Sequence, residues 1–300
     1  MINRRHIIAG AASAALAPAL GRAQPALLTK TIASTGEITP AIGMGTWLTF
    51  DVGDDPQLRR DRLNVARAFF DLGGAIIDSS PMYGSSQRVV GYCLENLKNT
   101  DALFAADKVW IGGGENGPRQ IEQSRESWGV EQFDLIQVHN LVSWRDHLET
   151  LFAMKAEGRL RYVGVTSYAG LRYDQIEAIM NAHPVDFIQI TYNLVDREAE
   201  NRLLPLAREK GVGVIANRPF QESRLIDAAK RRPLPEMAAE IGAQNWAQFL
   251  LKFIVSHPAV TAAIPATRRV DHMRENMGAL TGPQPDAAFR RAMTGVGEGI

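Results

Sequence analysis

The sequence predicts an α/β protein: a (β/α)8 TIM barrel with an N-terminal hairpin and extra helices near the C-terminal end. Between Ala41 and Leu280, short apolar runs alternate with helix-periodic stretches eight times. Such alternation implies parallel strands joined by crossover helices. The chain of 300 residues accommodates the roughly 250 that a closed barrel typically takes. No Gly-x-Gly-x-x-Gly opens a helix after the first strand, which argues against an open dinucleotide-binding sheet. No linker or low-complexity run interrupts residues 24–300, so they are expected to form one domain.

The first 23 residues stand apart from that domain. Arg4-Arg5 is followed by an Ala-rich, mildly apolar run from His6 to Leu20, then by Gly21-Arg22-Ala23 before Gln24-Pro25. That is the layout of a secretory signal peptide, and the paired arginines make it twin-arginine-like. The expected partner is the twin-arginine export machinery and the expected location is periplasmic or otherwise exported, cytoplasmic if the signal is not used. Cleavage would remove three arginines and no acids, leaving a neutral chain slightly acidic. The lone Cys93 suits this route, since one cysteine makes no internal bridge. Its neighbours Val89, Val90, Leu94 and Leu97 recur at helical spacing, which reads as buried filler.

In chain order, Leu28–Thr39 alternates around Gly36, as a hairpin capping the barrel floor would. The glycine-punctuated run Ala41–Trp47 is the first barrel strand. The helix at Arg60–Leu72 follows, with Leu63, Ala66, Phe69 and Phe70 on one face. Ala75–Asp78, Leu103–Trp110, Phe133–His139 and Arg161–Ser167 are strands two to five. They precede helices at Gln87–Leu97, Pro118–Trp128, Trp144–Glu157 and Tyr173–Ala182. Val185–Tyr192 precedes a helix at Arg197–Lys210. Val212–Asn217 leads into an insertion with helices at Leu225–Lys230 and Leu234–Ile241, then one at Trp246–Ser256. Val260–Pro265 is the last strand and Asp271–Leu280 the last helix.

Composition excludes several functions. Hydrophobic residues are 45% and charged residues 22%, with a formal net charge of +0. A chain without a basic stripe has no means of following a phosphate backbone, so nucleic acid is not an expected partner. After the signal no apolar run is long enough to span a bilayer. The six histidines show no ligand spacing, so no metal is expected.

In a barrel, residues at the carboxyl ends of different strands share one mouth. Those ends carry Asp78 and Tyr83, Lys108, and His139. A phenol, an ammonium, a carboxylate and an imidazole around one cavity suit proton transfer to a carbonyl oxygen. A Lys108 ammonium beside Tyr83 would lower the phenol from its ordinary value near 10. Asp78 would hold the lysine, and His139 would donate to the same oxygen. No side chain supplies hydride, so such a proton donor implies a nicotinamide partner. Taken singly, each residue has a plainer reading: Asp78 as a helix cap, Lys108 as a surface lysine, His139 as a satisfied core histidine.

The stretch from Gly73 to Ser86, Gly-Gly-Ala-Ile-Ile-Asp-Ser-Ser-Pro-Met-Tyr-Gly-Ser-Ser, resembles the signature of the aldo-keto reductase family. Asp107-Lys108-Val109-Trp110 is similar to the family's lysine strand, and Asp134 to Asn140 to its histidine strand. Ile264-Pro265-Ala266-Thr267-Arg268-Arg269 through Glu275-Asn276 resembles its closing cofactor motif. The match runs in order from about Ile42 to Leu280.

The resemblance implies a catalytic set of Asp78, Tyr83, Lys108 and His139, with Tyr83 as general acid. It implies NADPH across the barrel mouth, and a monomer. Nicotinamide contacts would come from Thr46, Thr166, Ser167 and Gln189. Asn217 stands where the family stacks an aromatic residue, leaving Arg218 or Phe220 to cover the ring. Thr267, Arg268 and Arg269 would meet phosphate, and arginine forks favour NADPH over NADH. Asn276 matches the adenine contact. Trp47, Met82, Trp110 and Asn140 match the substrate pocket, or pack the barrel rim. The implied activity is NADPH-dependent reduction of an aldehyde or ketone to an alcohol. The alternative, motivated by Asn217, is a nicotinamide-binding redox sensor or accessory subunit that does not turn over.

Overall fold

A computed structural model describes residues 26–300, so the expected signal peptide lies outside the described residues. A two-stranded antiparallel hairpin comes first, β1 (Thr29–Thr31) and β2 (Ile38–Pro40). Eight parallel strands follow in sequential order: β3 (Met44–Gly45), β4 (Ile76–Asp78), β5 (Phe104–Val109), β6 (Phe133–His139), β7 (Leu160–Thr166), β8 (Phe187–Thr191), β9 (Gly213–Asn217) and β10 (Ala262–Ala263). Parallel bridges Ile42↔Ala263 and Gly45↔Ala266 join the first strand to the last. The sheet therefore closes on itself, as expected.

Helices α1 (Pro56–Asp71), α2 (Ser86–Glu95), α3 (Gly117–Trp128), α4 (Trp144–Ala156) and α5 (Tyr173–Ala182) follow the first five barrel strands. After them come α6 (Leu203–Lys210), α7 (Arg224–Ala229), α8 (Trp246–Val255), α9 (Val270–Met277) and α10 (Ala287–Gly297). Asp55 caps α1 by accepting from the backbone N–H of Gln57 and Leu58, with Pro56 in the first turn.

The first and last barrel strands are shorter than the expected Ala41–Trp47 and Val260–Pro265, and three helical elements differ from the sequence reading. The helix expected over Arg197–Lys210 is a 3-10 turn at Glu198–Glu200 followed by α6, because the backbone at Arg202 (φ −143°) leaves helical geometry. Leu234–Ile241 holds only a 3-10 turn at Glu236–Ala239. It begins after Pro235, which has no N–H to donate and biases Leu234 away from helix. Asp271–Leu280 is not the last helix, since α10 follows it, capped by Asp286.

The barrel interior is layered by the two-residue period of its strands. The lower layer is apolar: Ile76, Phe104, Leu135, Tyr162, Phe187, Ile215 and Ala262, plugged from below by Ile32 of the hairpin. Phe104 and Tyr162 stack with centroids 5.7 Å apart, and Phe187 meets Tyr162 edge-on at 5.5 Å. The hairpin is tied to this layer through Tyr162, whose hydroxyl lies 2.7 Å from Thr35 Oγ1 and donates to Glu37 at 2.7 Å. The glycine punctuation of the first strand has a steric cause. A Cβ on Gly43 would stand 2.9 Å from Ile76 O, and one on Gly45 would stand 2.8 Å from Ile264 O.

Further up the strands, on the same inward face, the layer turns polar: Asp78, Gln137 and Gln189 lie one two-residue step above Ile76, Leu135 and Phe187, and Lys108 and Thr166 lie two steps above Phe104 and Tyr162. The outward faces pack on the helices in a second apolar cluster. Cys93 lies there, 2% exposed, and burial pushes its thiol up to about 12, which suits filler. Among the described residues no helix is long and apolar enough to cross a membrane, and no cluster of His, Cys, Asp and Glu could hold a metal.

Candidate active site

A cavity of about 800 Å3 opens above the polar layer, at the carboxyl ends of the strands. It lies within the size range typical of small-molecule sites. At its base, Lys108 (0% exposed) donates from Nζ to Asp78 Oδ2 at 2.5 Å and to the Ser79 carbonyl at 2.8 Å. Asp78 (2% exposed) accepts on its other oxygen from Gln189 Nε2 at 2.8 Å and Gln137 Nε2 at 3.2 Å. A buried carboxylate is costly unless its lone pairs are met, and here one ammonium and two amides meet them. Burial pulls the Lys108 ammonium down, but the facing Asp78 carboxylate and Tyr83 more than reverse this. The lysine therefore stays above its ordinary value and charged.

Tyr83 sits over this pair. Its ring centroid is 5.2 Å from Lys108 Nζ, and its ring meets His139 edge-on at 5.7 Å and 87°. The turn that carries it is fixed by the Tyr83 N–H donating to Ser80 O at 3.0 Å. One expectation is corrected here. Burial raises the Tyr83 phenol above its ordinary value; Lys108 pulls it down as anticipated, but does not overcome burial and Asp78. Tyr83 is thus held in its protonated form at neutral pH.

His139 is 5% exposed, with Nδ1 2.8 Å from Ser80 Oγ. Burial first, then the Lys108 charge, lowers it to about 2, so the imidazole is neutral. The four residues of the expected set therefore come together, with Tyr83 and His139 on the cavity wall and Lys108 beneath it.

Thr46 donates to Asp78 O at 3.0 Å and Ser79 Oγ at 2.9 Å. Thr166 Oγ1 donates to Gln189 Oε1 at 3.3 Å, and Ser167 Oγ to Leu171 O at 2.6 Å. Asn217 is held at both ends of its amide, accepting from Thr191 Oγ1 at 2.7 Å and donating to Ser167 O at 2.9 Å. Arg218 and Phe220 line the far wall, and the Arg218 guanidinium pairs with Glu222. Thr267, Arg268, Arg269 and Asn276 line the side where α9 begins. Thr267 Oγ1 accepts from Arg269 N–H at 3.2 Å, and Arg269 pairs with Asp271 at 2.5 Å.

Trp47, Met82 and Asn140 line the cavity, whereas Trp110 does not and is 41% exposed at the rim. Its backbone is clamped outward by Gln120, whose side chain accepts from Trp110 N–H at 2.6 Å and donates to Trp110 O at 3.0 Å.

Sequence reasoning missed several contributors. Gln137 lies two residues before His139 on β6, so strand alternation alone puts it on the inner face. Ser80 lies two residues after Asp78. Tyr168, 42% exposed, lines the cavity with Arg218 Cζ 5.9 Å from its ring. On the outward face of β5, buried Asp107 accepts from Gln87 Nε2 at 2.8 Å and its carboxyl is pushed by burial up to about 7. Gln87 also donates to Ser124 Oγ at 2.8 Å, giving that side chain a structural part that its sequence position did not disclose.

Comparison with known proteins agrees with this architecture. Residues 41–292 match the aldo/keto reductase family. The chain is 29% identical over 260 residues to the methylglyoxal reductase YeaE of Escherichia coli, covering 84% of this chain and 89% of that protein. A crystal structure of an aldo/keto reductase from Klebsiella pneumoniae in complex with NADP and acetate superposes with a TM-score of 0.74 at 25% identity, over 89% of this chain and 94% of that one. The thermostable aldo-keto reductase Tm1743, solved with the inhibitor epalrestat, superposes with a TM-score of 0.77 at 25% identity, over 90% of this chain and all of the other. On a match that takes in nearly every strand and helix of the barrel, the chain belongs to the aldo/keto reductase family and is an oxidoreductase.

Proposed function

We propose that the protein reduces a small aldehyde or ketone to the alcohol with NADPH. The supporting observation is a protonated Tyr83 beside a neutral His139, above a buried Lys108–Asp78 ion pair, at the floor of the barrel-mouth cavity. The residues present fit a dinucleotide. The cavity extends from this floor to the start of α9, where Arg268 and Arg269 are exposed and Thr267 is fixed. Helix starts and arginines both suit phosphate. A nucleotide phosphate would compete with Asp271 for Arg269. Thr166, Ser167, Gln189 and Asn217 would form the wall beside the reacting end.

NADPH, when bound, supplies hydride to the carbonyl carbon. Tyr83 gives its hydroxyl proton to the carbonyl oxygen as negative charge develops there. The Lys108 ammonium stabilises the phenolate left behind, and Asp78 with its two glutamine donors keeps that ammonium in place. His139 stays uncharged, so it orients the same oxygen as a hydrogen-bond donor without releasing a proton. Trp47 and Met82 give the cavity apolar walls, which suit a hydrophobic or small carbonyl compound. The methylglyoxal reductase relative makes α-ketoaldehydes the first compounds to try. Purified protein with NADPH should turn over at least one member of a broad carbonyl panel; no turnover of any member contradicts the reading.

Export belongs to the same proposal and rests on Arg4-Arg5, the His6–Leu20 run and Gly21-Arg22-Ala23. Mass spectrometry of protein from whole cells should give a mature chain beginning near Gln24, and an intact Met1 end in all of it contradicts export.

A further inference from the structure

Ser80 is wholly buried, yet it is the polar junction between the turn that carries Tyr83 and the imidazole of His139. Its carbonyl accepts from the Tyr83 N–H at 3.0 Å. Its Oγ accepts from the Met82 N–H at 3.2 Å and lies 2.8 Å from His139 Nδ1. A hydroxyl has one proton to give. The Met82 N–H can only donate, so it does not take that proton. No other partner of Ser80 Oγ is present among the described residues. If Nδ1 carried the ring proton, the Ser80 oxygen would accept twice and its own buried proton would have no acceptor; directing that proton at His139 Nδ1 satisfies both groups. In a neutral imidazole, a nitrogen that accepts is unprotonated, and the ring proton must sit on the other nitrogen.

We infer that Ser80 is a positioning residue that sets His139 in its Nε2–H tautomer, so that the imidazole presents a donor to a carbonyl oxygen held beside Tyr83. This deepens the proposed carbonyl reduction and rests on it for its catalytic consequence, though not for the tautomer itself. Through the same residue, the placement of Tyr83 and the orientation of His139 are coupled: the turn that aims the phenol carries the hydroxyl that selects the imidazole proton. Without that hydroxyl, nothing on the Nδ1 side favours an unprotonated nitrogen. A fraction of molecules would then turn a lone pair, instead of a donor, toward the oxygen.

The test is 15N NMR of the imidazole nitrogens in the full chain, alongside steady-state carbonyl reduction. The wild-type protein should show a single neutral tautomer with the proton on Nε2. Ser80→Ala should shift the two 15N resonances toward each other, as a tautomer mixture does, and lower kcat by on the order of tenfold while KM moves little. Ser80→Thr, which keeps the hydroxyl, should restore both the single-tautomer spectrum and most of kcat. A merely structural role would not move the 15N shifts in this way. A wild-type Nδ1–H spectrum overturns the inference, as does a Ser80→Ala spectrum identical to wild type. Should Ser80→Ala not fold, Ser80→Gly, which likewise removes the hydroxyl, replaces it under the same criteria. A protein that reduces no carbonyl but shows the expected spectra contradicts the proposed function and leaves the Ser80 assignment standing.

Discussion

Tyr83→Phe should abolish carbonyl reduction, lowering kcat by roughly 10^2-fold to 10^4-fold, the range that a positioned general acid typically contributes. The substitution removes one oxygen and leaves a ring of the same shape, so the edge-on contact with His139 and the packing against Trp47, 6.4 Å between centroids, should persist. It also removes a phenol that burial holds in its protonated form, together with the proton it would deliver. NADPH affinity, read by quenching of tryptophan fluorescence, should stay within about twofold of wild type, because the dinucleotide contacts are proposed to come from other residues. Loss of turnover with binding intact identifies an interaction made in the transition state. Unchanged kcat would remove Tyr83 from the proton transfer.

Lys108→Met should be the more damaging change for the fold itself. It leaves the Asp78 carboxylate buried, facing only the Gln137 and Gln189 amides where an ammonium had balanced its charge. Removing one partner of a buried ion pair typically costs about 3–5 kcal/mol, since the remaining charge keeps its desolvation cost and loses its attraction. Denaturant unfolding should report a loss of that order, and turnover should vanish because no cation remains to stabilise a Tyr83 phenolate. The double variant Asp78→Asn/Lys108→Met should recover much of the stability, since neither charge is then buried, and none of the activity. If the double variant were as unstable as the single one, the cost would lie in packing and not in the uncompensated carboxylate.

The barrel was legible because its signal is repetitive. Phe133–His139 and Tyr173–Ala182 begin and end where apolar runs and helical periodicity put them. The polar floor was legible where residue types are unusual for a buried strand, as with Asp78, Lys108 and His139. Gln137 and Ser80 were harder, because a glutamine in a strand or a serine in the turn after one carries no mark of function until its partners are known. Strand alternation places Gln137 on the inner face and Ser80 lies just past the end of β4, but only the fold shows that one meets Asp78 and the other His139.

The direction of the Tyr83 shift depends on a balance between burial and a facing ammonium, and a sequence discloses the ammonium alone. Trp110 shares a strand end with pocket residues, yet the Gln120 clamp holds its backbone against α3 and the side chain stays at the rim. The break before α6 depends on the backbone at Arg202, which helical periodicity through that stretch does not reveal. Asn217 shows the reverse case. Its departure from the family pattern was visible at once, and its consequence, an amide braced between Thr191 and Ser167, was not.

Rapid mixing of NADPH-loaded protein with an excess of an α-ketoaldehyde, followed by nicotinamide absorbance, bears most directly on a protonated phenol poised over a buried ammonium. The bound cofactor should be oxidised in a single fast phase by the wild-type protein, and no such phase should appear with Tyr83→Phe loaded to the same extent. Tight NADPH binding with no oxidation by the wild-type protein, across a full carbonyl panel, would contradict carbonyl reduction and favour a redox-sensing role.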